Sequence, residues 1–312
     1  MEISRKSGLI KKALFFGAAV FLVLCLSACA KPKQENEKIV FGICQANLID
    51  YWQSAFKSDV QSEIDTIENA VAIFEDAGNS SQKQRIDIED MIKRDVDVII
   101  VTPCSDCDIL ANLQAARKAE IPVIMIGDYD VNRAFVDMRI FSDNYRLGVM
   151  AGEKAVELLH GSGRILEMQD DPALRSTQDF KNGFLEGISE ASGVEKEYVV
   201  QGYGTTDSAE NALRGSEILE LDTDIDLIFS HNSQMAIGAR KVLQEKNLCP
   251  RILSIDLMSG SAYDFTTEQK KDLDCYLACP TGGREAVTFG KKLISGEEVP
   301  ETYELEIEVI TR

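Results

Sequence analysis

Tyr51 and Trp52 stand side by side just after an apolar run, Ile39 to Cys44, and a short polar stretch. An indole face can cover the C–H face of a pyranose or furanose ring. Polar segments also follow the later apolar runs: Thr102–Asp108, Gly127–Asp130, Gln169–Arg175, Tyr203–Asp207, His231–Ser233, Asp256 and Cys279. With Gln45–Trp52, these segments are rich in carboxylate, amide and hydroxyl groups, which donate and accept several hydrogen bonds with adjacent hydroxyls. The set suits a polyhydroxylated small molecule. The competing reading of Tyr51 and Trp52 is that they begin a helix and pack its first turn.

Other chemistries find less support. His160 precedes Gly161-Ser162-Gly163 and reads as a helix terminus, while His231 reads as a strand end. No nucleophile elbow, phosphate-binding loop or zinc-protease helix motif occurs, so an enzyme is not expected. Cys104 and Cys107 form a lone CxxC without a second pair at zinc spacing, and Cys275 and Cys279 lie four apart on a predicted strand. Unpaired thiols are the expectation, with no metal and no cofactor.

The N-terminus assigns the compartment. Arg5, Lys6, Lys11 and Lys12 form a basic head, and residues 13–30 follow without a charge, as in a signal peptide. The run is at the short limit for a membrane span and ends in Leu26-Ser27-Ala28-Cys29. That tetrapeptide resembles the bacterial lipobox, which implies cleavage after residue 28 and acylation of Cys29. Losing four basic groups and Glu2 moves the net charge from −19 to −22. Such an acidic chain lacks the clustered basic surface that nucleic-acid binding requires. Residues 29–38 read as a tether.

At 312 residues the chain is too long for one ordinary core, so two domains are expected. Short, wholly apolar strands alternate with amphipathic helices, the signature of parallel sheets covered on both faces. Strands are predicted at Ile39–Cys44, Val71–Phe74, Val98–Val101 and Val123–Ile126, with helices at Trp52–Ile67, from Ser80 or Ser81, and near Ile109–Ala119. After Ser142-Asp143-Asn144 the pattern restarts with helix Tyr145–Leu159, strand Ile165–Met168, helix Gln178–Ala191, a strand near Val199–Gln201 and helix Ser208–Leu221. Strand Leu227–Phe229, helix Met235–Lys246, strand Ile252–Ile255, a helix near Ala262–Lys270, strand Leu273–Ala278, helix Gly283–Ile294 and a last strand Tyr303–Val309 complete it. An internal echo, Asp95 to Pro103 against Asp224 to Asn232, supports two similar halves. Ligands of open α/β sheets bind beyond the carboxyl ends of the strands, and two such sheets facing one another would form a cleft.

From Ile39 to Thr311 the chain resembles the type I periplasmic binding proteins of the ribose/galactose class, the sugar-capturing components of ABC importers. The matching segments are Tyr51-Trp52, Ile121-Pro122-Val123-Ile124, Ser142-Asp143-Asn144 with Gly148, Asn182-Gly183-Phe184, His231 to Ala239, and Ser295-Gly296-Glu297. The resemblance implies two doubly wound, Rossmann-like α/β domains joined by three crossovers near Ser142, Pro280 and Glu306. It divides the mature chain into residues 39–142 plus 281–306 and residues 143–280 plus 307–312. It also implies that Tyr51 and Trp52 stack on the ligand, that Asn232 is an amide ligand, and that Asp256 is the second-lobe carboxylate for sugar hydroxyls. The partners implied are a small sugar, ABC permease subunits and the membrane through its lipid anchor. A receptor presenting a ligand to a sensor kinase is the alternative, while a transcriptional repressor of the same fold is excluded by the lipobox.

The departures from the family pattern bear on the ligand. The Asp-Arg pair that often follows the Ile-Pro-Val strand reads Gly127-Asp128, the Arg before Gly-Phe reads Gln178, the Asn-Asp pair reads Asn232-Ser233, and the hinge Gln reads Cys279. Asp50, Asp106, Asp128, Asp130, Asp207 and Asp256 all fall in strand-end segments. An anion would meet that field without a bidentate guanidinium, so a neutral sugar or polyol is expected, with an amino sugar or other cationic polar molecule as the alternative. Arg175, in the segment after the Ile165 strand, is the residue that could replace a missing arginine.

Overall fold

The computed structural model describes residues 38–49, 51–104, 108–127, 133–221, 224–257 and 273–311. The signal segment, Cys29, Asp50, Cys107, Asp128 and the predicted helix Ala262–Lys270 lie outside them. No helix among the described residues is long and apolar enough to cross a membrane.

The chain begins with β1 (Ile39–Gln45), α1 (Tyr51–Ile64), β2 (Ala70–Asp76), α2 (Ser81–Lys93), β3 (Val98–Val101), α3 (Leu110–Lys118), β4 (Val123–Ile126) and β5 (Met138–Phe141). A second run follows: α4 (Asn144–Leu158), β6 (Ser162–Gln169), α5 (Arg175–Ile188), β7 (Gly193–Gln201), α6 (Thr206–Gly215), α7 (Ile218–Leu221), β8 (Leu227–Ser230), α8 (Ser233–Glu245), β9 (Arg251–Leu257) and β10 (Cys275–Cys279). α9 (Gly283–Ile294), β11 (Thr302–Glu304) and β12 (Glu308–Thr311) close it. Polar side chains start several helices: Ser80 caps α2, Asp143 caps α4, Thr205 caps α6 and Asn232 caps α8, each accepting a backbone N–H of the first turn.

The strands form two six-stranded sheets with matching order, β2-β1-β3-β4-β5-β11 and β7-β6-β8-β9-β10-β12. All neighbours are parallel except β12, which runs antiparallel to β10. This is the two-sheet, doubly wound α/β architecture expected. The chain passes between sheets three times: after β5, whose following helix α4 packs on the second sheet; after β10, whose following helix α9 packs on α1 and β3; and between β11 and β12. α1 and α9 cover one face of the first sheet, and α2 and α3 the other. α4 and α5 cover one face of the second sheet, and α6 and α8 the other.

The internal echo has a structural cause. Asp97, just before β3, accepts Val40 N–H at 2.7 Å, and Asp226, just before β8, accepts Arg164 N–H at 2.8 Å. β3 and β8 hold equivalent places in their sheets, and each carboxylate satisfies a backbone donor at the end of the neighbouring strand. The same device recurs one strand pair further on. Asp137 before β5 accepts Val123 N–H at 2.8 Å, and Asp274 before β10 accepts Ile252 N–H at 2.8 Å.

Four details differ from the sequence expectation. β5 has no counterpart in it, because Met138-Arg-Ile-Phe141 carries an arginine that breaks the apolar run. The single helix expected over Ser208–Leu221 is two, α6 and α7, separated at Glu217, whose φ of 55° is left-handed. β7 begins at Gly193, well before Val199. The expected last strand Tyr303–Val309 is β11 and β12, paired in different sheets.

Candidate functional site

At the carboxyl end of the first sheet a buried amide network fixes the start of α1. Gln45 Nε2, at the last residue of β1, donates to Gln53 O at 2.8 Å and to Gln53 Oε1 at 2.9 Å. Thr102 Oγ1, just past β3, donates to the same Gln53 Oε1 at 3.0 Å and accepts Ala46 N–H at 3.1 Å. Gln84 of α2 extends the network, donating to Thr102 O at 3.0 Å and accepting Cys104 N–H at 2.9 Å. Only Gln45 Oε1 in this network lacks a partner among the described residues, and a buried network this densely bonded is rigid because its members are expensive to leave unpaired. They hold Tyr51 and Trp52 at the first turn of α1. Trp52 is half-buried and stacks on Phe56, ring centroids 5.4 Å apart and 13° from parallel. It packs in the first turn of α1, as the competing reading has it. Ile49, at the loop before it, is 89% exposed.

At the carboxyl end of the second sheet Asn232 draws three strand-end segments together. Its Oδ1 accepts Met235 N–H at 2.9 Å, and its Nδ2 donates to Gly204 O at 3.2 Å and to Asp170 Oδ2 at 3.5 Å. The turn beyond β7 is left-handed at Tyr203 (φ 49°) and Gly204 (φ 78°). A side chain at Gly204 would press on the Asp170 carboxylate, 3.2 Å away. Asp256 lies on β9, paired with Ala278, and its side chain is outside the described residues. Gln178 sits in the first turn of α5, where its Nε2 donates to Pro172 O at 2.8 Å and closes the loop after β6. Arg175 is 3.6 Å from Asp179 and well exposed.

Cys279 lies at the second crossing and meets the first. Its Sγ is 3.2 Å from Ser142 Oγ, so the thiol ties two of the three connecting segments. Burial pushes its pKa up to about 11 against the opposing hydrogen bond from Ser142, so it stays a thiol at neutral pH and is not a nucleophile. Thr281, just beyond, donates to the buried Asp59 of α1 at 2.7 Å, linking the crossing to the helix that carries Trp52. Gly282 follows with φ 83°, a conformation that lets the chain turn into α9.

The five described cysteines of the body, Cys44, Cys104, Cys249, Cys275 and Cys279, form no disulfide among the described residues. No metal-binding cluster occurs among the described residues. His160 has φ 52° just past α4, as a helix terminus would.

Sequence reasoning missed the best-anchored charge in the second lobe. Glu167 of β6 is fully buried, 2.8 Å from His231 Nε2 and 2.7 Å from Lys196 Nζ. Burial raises its pKa, yet the hydrogen bonds and charges of His231 and Lys196 win and bring it to about 2. The available signal was a carboxylate in the middle of an apolar strand, Ile165-Leu166-Glu167-Met168. Such a residue is almost never buried unless paired.

Two parallel sheets with polar strand-end loops and three chain crossings between them define a bilobal ligand-binding protein, not a single-sheet nucleotide-binding domain. The chain belongs to the periplasmic binding protein domain family, whose model matches residues 41–271. It is 25% identical over 256 residues to the ribose import binding protein of Bacillus subtilis, covering 79% of this chain and 82% of that one. Among solved structures it is similar to an ABC transporter solute-binding protein from Bacillus halodurans with bound myo-inositol, at TM-score 0.74 and 22% identity, covering 89% and 96% of the two chains. It is also similar to the fructose-binding periplasmic domain of a hybrid two-component system, at TM-score 0.71 and 19% identity, covering 88% and 91%.

Proposed function

We propose that this protein is an extracytoplasmic solute-binding lipoprotein that captures a neutral sugar or polyol by closing two lobes over it and delivers it to an ABC permease. The lobes are residues 39–142 plus 281–306 and residues 143–280 plus 307–312, with 1–28 as the cleaved signal and 29–38 as the tether. The observation that carries the reading is that each sheet ends in a braced polar cluster at its carboxyl edge, Trp52 on an amide-braced helix start in one and the Asn232 cluster in the other, with the chain crossing between the two sheets three times. Asp128, Gln178, Asp256 and Cys279 complete the proposed ligand set with Tyr51. The ribose and myo-inositol named for the relatives are neutral polyhydroxyl compounds, in keeping with the replaced arginines.

A ligand closes such a protein only by making contacts that exist in the closed state alone. Saturating ligand is therefore expected to reduce the radius of gyration in small-angle scattering, and an unchanged radius contradicts hinge capture. The chain has a single Trp, so intrinsic indole fluorescence reports on Trp52 alone. Trp52→Ala is expected to weaken binding by about 1–3 kcal/mol through lost apolar burial and stacking. Equal calorimetric affinity of the variant and the natural protein would remove Trp52 from the site.

Cys29→Ala is expected to leave the processed protein in the soluble fraction, because two or more acyl chains hold where one is marginal. A variant that still sediments with membranes after a high-salt wash, with the signal removed, would show another anchor. The second reading, a receptor that presents its ligand to a sensor kinase, is favoured by the similarity to the periplasmic domain of a two-component system. Co-purification with a permease or with a kinase separates the two.

A further inference from the structure

The face of the second sheet covered by α5 ends in buried polar groups without a hydrogen-bond partner among the described residues. Ile165, Glu167 and Gln169 alternate onto this face of β6, and Phe229 and His231 do so from β8. Phe184 of α5 stacks on Phe229 with ring centroids 4.1 Å apart, and one turn earlier Phe180 meets the His231 ring edge-on at 5.5 Å. One turn earlier again, Thr177 continues the same helical stripe at the carboxyl edge of the sheet.

Three of these side chains are at least 97% buried: Thr177, Gln169 and His231. The Thr177 hydroxyl, one end of the Gln169 amide and His231 Nδ1 each lack a hydrogen-bond partner among the described residues. The other end of the Gln169 amide accepts from Gln201 Nε2 at 2.9 Å, and Gln201 Oε1 is likewise unpartnered. His231 Nε2 is occupied by Glu167, whose charge Lys196 balances, so Nδ1 is the ring nitrogen left without a partner. Each such orphan is destabilising, because it has given up its bonds to water without replacement. Three together at one strand end next to Asn232 describe a place where something polar belongs.

We propose that Thr177, Gln169 and His231 form a hydroxyl-binding subsite that takes one hydroxyl of the ligand when the lobes close. Lys196 already offsets the one buried carboxylate, so an uncharged complement suits the site, and it must bond to His231 Nδ1 while accepting from Thr177 or the Gln169 amide. A hydroxyl does both. The proposal rests on the reading of the protein as a binder of neutral sugars or polyols. A water molecule has the same hydrogen-bonding chemistry, and the test separates it from ligand.

The probes are D-ribose, D-allose and myo-inositol, followed by Trp52 fluorescence and calorimetry, together with each monodeoxy analogue of the probe that binds. Thr177→Val removes an unpartnered hydroxyl at nearly constant volume, and Thr177→Ser retains it. Thr177→Val is expected to melt no lower than the natural protein without ligand, yet to bind the probe about tenfold more weakly, with Thr177→Ser near the natural affinity. One deoxy analogue is expected to lose about tenfold against the natural protein and nothing against Thr177→Val, the non-additivity that marks two groups in contact. Unchanged probe affinity in Thr177→Val means the pocket holds water alone and overturns the subsite while the capture reading stands. Equal losses for the probe and every deoxy analogue assign Thr177 a structural role and overturn it too. Failure of all three probes to bind the natural protein overturns the neutral-polyol reading, and the subsite with it.

Discussion

Gly183→Ala is expected to lower the folding stability by about 3 kcal/mol, the upper end for overpacking at a contact that cannot relax. α4 and α5 approach through two pairs of glycines, Gly148 and Gly152 on one and Gly183 and Gly187 on the other. A methyl at 183 would drive into the Tyr145 carbonyl and sit 2.9 Å from Val149 N; one at 152 would sit 2.5 Å from Phe184 O and 2.8 Å from the Gly187 Cα. These neighbours are backbone atoms of helices, so relief requires the two helices to separate. That motion would also loosen the Phe184–Phe229 stack beneath. Gly215→Ala is the control, since its new methyl meets nothing within 4 Å. Urea denaturation showing Gly183→Ala and Gly215→Ala at the same midpoint would show that the helices are not held at this distance.

Glu167→Gln is expected to cost about 3 kcal/mol at neutral pH, because it leaves Lys196, mostly buried, without its counter-charge. The pH dependence has a definite sign. The folded pKa of Glu167, about 2, lies below the ordinary value of 4.5, so the unfolded chain takes up the proton first as pH falls. The stabilisation is complete above the ordinary value and fades as pH drops towards 2, a total of about 3 kcal/mol from the depression. The variant has no such titration, so the difference between the two proteins should narrow from neutral pH to about pH 3. Urea unfolding that gave a constant difference across that range would show that the carboxylate is not the group held ionised.

These two residues mark different limits of legibility. Gly183 stood within a quoted segment, Asn182-Gly183-Phe184, yet its reason for being glycine is a helix 35 or so residues back in the chain, a distance over which sequence periodicity carries no information. Glu167 was visible as a charge inside an apolar strand, but its partners come from β7 and from the residue after β8. The candidate site divides the same way. Tyr51 and Trp52 are candidates because an aromatic pair after an apolar strand has a local signature, whereas Gln53, which anchors them to β1 and β3, looks like any polar helix residue. In sequence Asn232 stands out only as an amide at a strand end, and the structure adds that it caps α8 and gathers two other loops.

The alternation of apolar strands and amphipathic helices determined the fold class by itself, since a wholly apolar strand of four residues is stable only when covered on both faces. Composition likewise set the acidic surface, and the order of strand ends set which segments could carry the site. Which sheet each strand joins was decided only in three dimensions. β5 was invisible until it paired with β4, and Tyr303–Val309 reads as one strand but splits because its two ends hydrogen-bond to different sheets. Cys279 touching Ser142 across 137 positions, and Asp97 and Asp226 closing equivalent strand ends, are of the same kind. Local pattern encodes what a segment buries, because burial depends on side-chain type and period. It does not encode what the segment is buried against, because partner choice is settled by the simultaneous satisfaction of backbone donors and packing from distant parts of the chain.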